Sequence, residues 1–191
     1  MALQTARWRK RMPEKKTALL YYFAYGSNMA VERLQARVPS AKRVVTARLT
    51  GHALRFHKKG MDGSGKCDVV STGNPADCVH GIVFEIATAE KPALDRAEGP
   101  RYVQQHVQLV LTDGSPVDAF LYVVADKGRF TDAAIKPFCW YKYHVLYGAR
   151  SNGLPGDYIA RIEAELEQPD RDEQRRIHEM RVYVKNAASG P

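Results

Sequence analysis

Glu98 is an acidic residue whose setting could suit proton transfer. It closes the run Leu94-Asp95-Arg96-Ala97-Glu98-Gly99, and Gly followed by Pro100 marks a helix stop. In the last helical turn a negative charge opposes the helix dipole, so the carboxyl holds its proton to higher pH, as burial would also make it do. A second segment, Tyr22-Phe23-Ala24-Tyr25-Gly26-Ser27-Asn28-Met29, reads as a strand turning into a helix. Such a turn leaves backbone N–H groups unpaired, and these suit a carboxylate or a developing oxyanion. Trp140-Tyr141-Lys142-Tyr143 offers hydroxyls, and Gly148-Ala149-Arg150-Ser151-Asn152-Gly153-Leu154-Pro155 joins two helices. Taken singly, each has an ordinary reading: a capping turn, an exposed carboxylate, core aromatics and a linker.

These groups need elements to position them. Residues 18–25 form a short apolar run stopped by Gly26, as a buried central strand would. Ser27 or Asn28 caps a helix running through Val38, with Met29, Leu34 and Val38 on its apolar side. Residues 44–58 hold one or two strands broken near Gly51, and residues 60–66 form a Gly-rich loop. That loop lacks the GxxxxGK[ST] pattern of a phosphate-binding loop. Val79–Ala87 is a strand, and Thr88 caps a helix over 89–97. Strands over 102–111 and 117–125 flank the hairpin signal Asp113-Gly114. Helices follow over 138–149, 155–166 and 170–181. Mostly antiparallel strands with helices grouped at the ends make an α+β domain on a small curved sheet or barrel. The expected layout is a basic, disordered tail over 1–17, a domain over 18–167, and a C-terminal helix and tail over 168–191.

The bulk properties narrow the classes. A chain of 191 residues, 45% hydrophobic and 26% charged, suits one soluble domain with a real core. No apolar run reaches the ~20 residues of a membrane helix, and the N-terminus lacks a secretory pattern, so a cytoplasmic protein without a membrane partner is expected. The net charge is +8, but residues 1–16 hold six basic side chains against Glu14, which leaves +3 for the other 175. The excess belongs to the tail rather than a folded face, so no specific nucleic-acid partner is expected. Cys67, Cys78 and Cys139 form no CxxC pair, which argues against zinc and redox motifs and for reduced packing residues. Cys78 near His80 leaves a Cys–His hydrolase formally open, without an evident orienting acid.

Taken together the four segments resemble the γ-glutamylcyclotransferase family. The likeness runs in order through Phe23–Met29, Glu32-Arg33, Pro39-Ser40-Ala41, Ala47-Arg48-Leu49, Gly81-Ile82-Val83, Leu94-Asp95 with Glu98-Gly99, Tyr141-Lys142 and Gly148–Pro155. It spans roughly residues 18–167. The Gly148–Pro155 stretch is similar to the branch acting on γ-glutamyl amino acids, and the Asn of the turn sets it apart from the glutathione-specific branch. The resemblance implies a small, mostly antiparallel β-barrel flanked by helices, with no metal and no organic cofactor. It implies that Tyr22, Phe23, Ala24, Tyr25, Gly26, Ser27 and Tyr141 hold a small γ-glutamyl substrate and that Glu98 is the acid/base forming 5-oxoproline. A γ-glutamylamine or another γ-glutamylated metabolite as substrate, a non-catalytic ligand-binding module and a homodimer are left open. The segment after Glu98-Gly99 is short here, reaching Tyr102 almost at once, and it borders the expected site.

Overall fold

The computed structural model describes residues 18–187; the basic run assigned to a tail over 1–17 lies outside the described residues. Seven strands form: β1 (Leu19–Ala24), β2 (Lys42–Thr50), β3 (His52–Lys59), β4 (Gly65–Ser71), β5 (Cys78–Ala87), β6 (Tyr102–Leu111) and β7 (Pro116–Val124). Five close into a barrel in the order β1-β5-β2-β6-β7, while β3 and β4 make a separate two-stranded sheet. The neighbours within the barrel are antiparallel, and β7 closes it on β1 by a parallel pairing of Tyr22 with Phe120. Phe23, Ile82, Phe84, Ile86, Leu109 and Leu121 are fully buried in the core. Gly81 lets two strands approach closely: a Cβ there would lie 2.4 Å from the Ala24 carbonyl oxygen and 2.7 Å from the Phe23 ring.

Among the described residues six helices surround the barrel: α1 (Val31–Gln35), α2 (Lys91–Glu98), α3 (Lys127–Phe130), α4 (Cys139–Ser151), α5 (Gly156–Ala164) and α6 (Glu173–Ala187). Three expectations need correction. The helix expected from Ser27 to Val38 is a single 3-10 turn over Ser27–Met29, then extended Ala30, then the short α1. Neither Ser27 nor Asn28 caps it, because the Asn28 amide is engaged elsewhere. Thr88 donates its hydroxyl to the Ala18 carbonyl at 2.9 Å instead of capping, and α2 starts only at Lys91. Finally, β4 follows the Gly-rich loop, where no strand is expected. The stop at Gly99 is as read: its φ is +79°, and its N–H returns to the Asp95 carbonyl at 3.0 Å.

α6 docks on α1 and α4 through charged and polar groups. Arg33 pairs with Glu179 and also donates to His144 Nε2 at 3.2 Å, while His144 Nδ1 meets the Tyr183 hydroxyl at 2.6 Å. Burial, with Arg33 and Arg37 beside it, pushes the His144 pKa down to about 2, so this ring is neutral and serves as a spacer between helices. No helix among the described residues is long and apolar enough to cross a membrane.

Candidate active site

The turn after β1 is clamped from behind by α4. A Cβ on Gly148 would come within 2.6 Å of Met29 Cβ, the Met29 carbonyl carbon and the Ala30 nitrogen, so α4 rests directly on the turn's backbone. Asn152 adds a second clamp, donating from Nδ2 to the Met29 carbonyl at 3.1 Å and to the Gly148 carbonyl at 2.8 Å. Arg43 on β2 fixes that amide by donating to Oδ1 at 2.7 Å. The Gly148–Pro155 stretch therefore does more than join two helices. Held this way, the turn keeps only the Met29-to-Gly26 and Ala30-to-Ser27 backbone bonds, leaving the N–H groups of Gly26 and Ser27 without a backbone acceptor among the described residues.

In front of the turn lies a recess of about 290 Å3, its mouth included. Tyr22, Tyr25, Gly26, Ser27 and Asn28 supply one side, and Glu98 stands at the end of α2. Cys67, Tyr102, Tyr122 and Tyr141 complete it. The tyrosines are held rigidly by their own hydroxyls. Tyr25 donates to the Tyr122 carbonyl at 2.5 Å, Tyr102 to the Cys67 carbonyl at 2.5 Å, and Tyr122 to Asp95 at 2.5 Å. Tyr141 accepts from the Cys67 N–H at 3.0 Å, which leaves its own proton to offer. Gly26 is needed here as well, since a Cβ would sit 3.0 Å from Cys67 Cβ and 3.4 Å from the Tyr141 hydroxyl.

Asn28 is the hub. Its Nδ2 donates to Glu98 Oε1 at 2.7 Å and to the Tyr22 hydroxyl at 3.0 Å, and its Oδ1 accepts from Arg37 at 2.8 Å. Burial raises the Glu98 pKa above the usual carboxylate range. Arg37, Lys58 and the Asn28 amide pull the other way without overcoming it. Burial, more than the helix end, is the cause. Because the Asn28 bond favours the ionised form, Asn28→Ala should raise the Glu98 pKa further. The acid limb of the pH profile of kcat/KM should then move to higher pH, with activity falling more on the acid side of the profile than on the alkaline side. An unmoved acid limb in a folded Asn28→Ala protein contradicts this coupling.

Of the residues singled out from sequence, Tyr22, Tyr25, Gly26, Ser27, Glu98 and Tyr141 come together at the recess. Phe23 and Ala24 do not bring their side chains to it; both are fully buried in the barrel core. Sequence reading missed Asn28 as a site group, together with Tyr102, Tyr122, Cys67, Arg37 and Lys58. Tyr102 had a usable sign, an aromatic four residues past Glu98; Lys58 had none. Cys78 Sγ does lie 3.3 Å from His80 Nε2, but neither residue lines the recess, and His80 packs edge-on to Tyr158. Among the described residues no acid is hydrogen-bonded to His80, so the orienting member of a triad is missing. No three His, Cys, Asp or Glu side chains among them are grouped to hold a metal ion.

Comparison with known proteins adds what geometry does not. The chain is 30% identical over 158 residues to the γ-glutamylcyclotransferase of Homo sapiens, a match covering 80% of each chain. The chain belongs to the γ-glutamylcyclotransferase family. The Bos taurus γ-glutamylcyclotransferase is likewise 30% identical, over 74% of this chain and 76% of that one. A solved structure described as a γ-glutamyl cyclotransferase superposes with a TM-score of 0.74 at 26% identity, over 82% of this chain and 93% of that one. A model of the AIG2-like family matches residues 78–162, which run from β5 through α5 and include Glu98 and Tyr141. The matched stretch thus carries the carboxyl of this γ-glutamylcyclotransferase-family chain, while the turn that Glu98 meets lies outside it.

Proposed function

We propose that the protein converts a γ-glutamyl amino acid to 5-oxoproline and the free amino acid, with Glu98 carrying the proton between the two nitrogens. The observation behind this reading is the 2.7 Å contact that brings the Glu98 carboxyl to the Gly26–Asn28 turn inside one recess. The substrate supplies its own nucleophile. Its α-amine attacks the γ-carbonyl carbon, a C–N bond closes the five-membered ring, and the original γ-amide C–N bond breaks. No water and no covalent enzyme intermediate are consumed. Because the step is already intramolecular, holding amine and carbonyl together has only to select the productive rotamer, a smaller gain than joining two separate reactants would give.

Proton transfer sets the remaining demand. An α-ammonium with a pKa of about 8 facing a carboxylate of about 4.3 would transfer its proton uphill by about 5 kcal/mol. The raised pKa of Glu98 shrinks that gap. The acid so formed then donates to the departing nitrogen, so one group serves both directions. The N–H groups of Gly26 and Ser27 are the donors for the carbonyl oxygen or the α-carboxylate, and the Tyr141 proton is a further donor.

Turnover of γ-glutamylalanine in H2(18)O tests the reading directly. The expected products are unlabelled 5-oxoproline and free alanine. Glutamate carrying solvent oxygen would identify a hydrolase instead, and tight binding without either product would identify a binding module.

A further inference from the structure

Lys58, near the C-terminal end of β3, is only 6% exposed, yet its ammonium has no hydrogen-bond or ion-pair partner among the described residues. Nζ itself is not among the sealed, unpartnered side-chain atoms and so keeps access to water, but a largely desolvated cation without a counter-charge in contact still carries a cost. Its surroundings add to the cost. The residue opposite it on β4 is Lys66, a like charge directly across the strand pair. Lys66 is satisfied: it binds Asp62 at 2.7 Å and Ser64 at 2.8 Å and lies over the Trp140 and Tyr141 rings. Lys58 has only the face of Tyr102, with Nζ 4.0 Å from the ring centroid. Tyr102 lines the recess, and Glu98 is the charge that most strongly offsets the burial of Lys58, whose pKa is lowered to about 8. Lys58 is not itself a lining residue, but through Tyr102 its ammonium stands beside the recess. Glu98 itself stays outside ion-pair distance of it.

Resting on the cyclotransferase reading, we propose that Lys58 binds the carboxylate of the leaving amino acid and so selects substrates whose released amine carries that anion. The geometry of the reaction fits. The glutamyl half must reach the turn and Glu98, which directs the other half of the substrate away from the turn, toward Tyr102 and Lys58. The short connection from Glu98 to Tyr102 leaves that side to β3 and the loop after it, with Arg101 anchored there through its bond to the Lys59 carbonyl at 2.9 Å. A charged site that loses its partner discriminates strongly against the neutral analogue.

A two-by-two comparison tests this, pairing wild type and Lys58→Met with γ-glutamylalanine and its isosteric C-terminal amide. Any effect of Lys58 on Glu98 is common to both substrates and cancels in the ratio of their kcat/KM values. Wild type should favour the acid, and Lys58→Met should lower that ratio about 10- to 100-fold, the size of one charge-assisted hydrogen bond. The loss should fall mainly in KM, and Lys58→Arg should restore part of the preference. Equal slowing of both substrates overturns the assignment and leaves the cyclotransferase reading standing. Wild-type enzyme that turns over neither substrate overturns both. Should Lys58→Met fail to fold, Lys58→Gln takes its place with the same expected fall in the ratio, and equal use of acid and amide by wild type rules the proposal out in any case.

Discussion

Glu98→Gln should abolish 5-oxoproline formation, lowering kcat by about 1000-fold or more, the upper part of the range for a single general acid/base. The fold should survive. Gln keeps the oxygen that accepts from Asn28, and it removes a charge the fold holds at a cost. Burial raises the carboxyl's pKa above its unfolded value, so the folded state binds that proton more tightly. The associated stability is present below the unfolded pKa and is lost as pH rises through the folded one. Above the folded pKa the wild type has lost it, whereas the amide has no charge to bury. Thermal melts over a pH series should therefore place Glu98→Gln level with or above wild type at the alkaline end, with the advantage disappearing toward acid pH. A folded variant with near-normal turnover ends the mechanism.

Gly148→Ala should hit stability and turnover together, although the residue is no part of the recess. The added methyl meets Met29 and Ala30 at 2.6 Å, and two of those three contacts are with backbone that cannot rotate aside. Overpacking of this kind costs about 1–3 kcal/mol, visible as a lower melting temperature. The strain is relieved by pushing the turn outward, which moves Asn28 and the Gly26 and Ser27 N–H groups relative to Glu98. A displacement of 1 Å at such a site can cost about 100-fold in rate. Gly156→Ala is the control, since nothing lies within 4 Å of a Cβ there. If Gly148→Ala melts and turns over like Gly156→Ala, α4 does not brace the turn.

Much of the fold was readable because its strongest elements are locally consistent. The uncharged run of β1 ends at a glycine, the β6–β7 hairpin turns at Asp113-Gly114, and α2 stops at a glycine with positive φ. β4 was hidden by its own chemistry. It begins inside a Gly-rich loop and carries Asp68, which is fully buried because it accepts from the Val124 N–H at 3.0 Å and meets His57 Nε2 at 3.0 Å. A buried acid breaks the apolar alternation that marks a strand. Asn28, like Ser27, reads as a cap in sequence because both are good capping residues. Only the approach of α2, 70 residues on in the chain, shows its amide spent on Glu98. Lys58 sits in a stretch of His and Lys that looks like a solvated edge, and its burial depends on Tyr102 from another sheet. In each case the missing information is a long-range contact.

The barrel's closure has a consequence for how the chain is made. β1 leaves the ribosome first, yet one of its two neighbours is β7, and Tyr25 finds its acceptor on Tyr122, 97 positions later. A nascent chain that already holds the turn and Glu98 still lacks three of the recess tyrosines, Tyr102, Tyr122 and Tyr141. The ring shuts only when the last strand meets the first, so loop-closure entropy must be met before any catalytic geometry exists. No early fragment owns a working site, and a chain interrupted before β7 carries the turn and Glu98 without Tyr141 and without the container that aligns them.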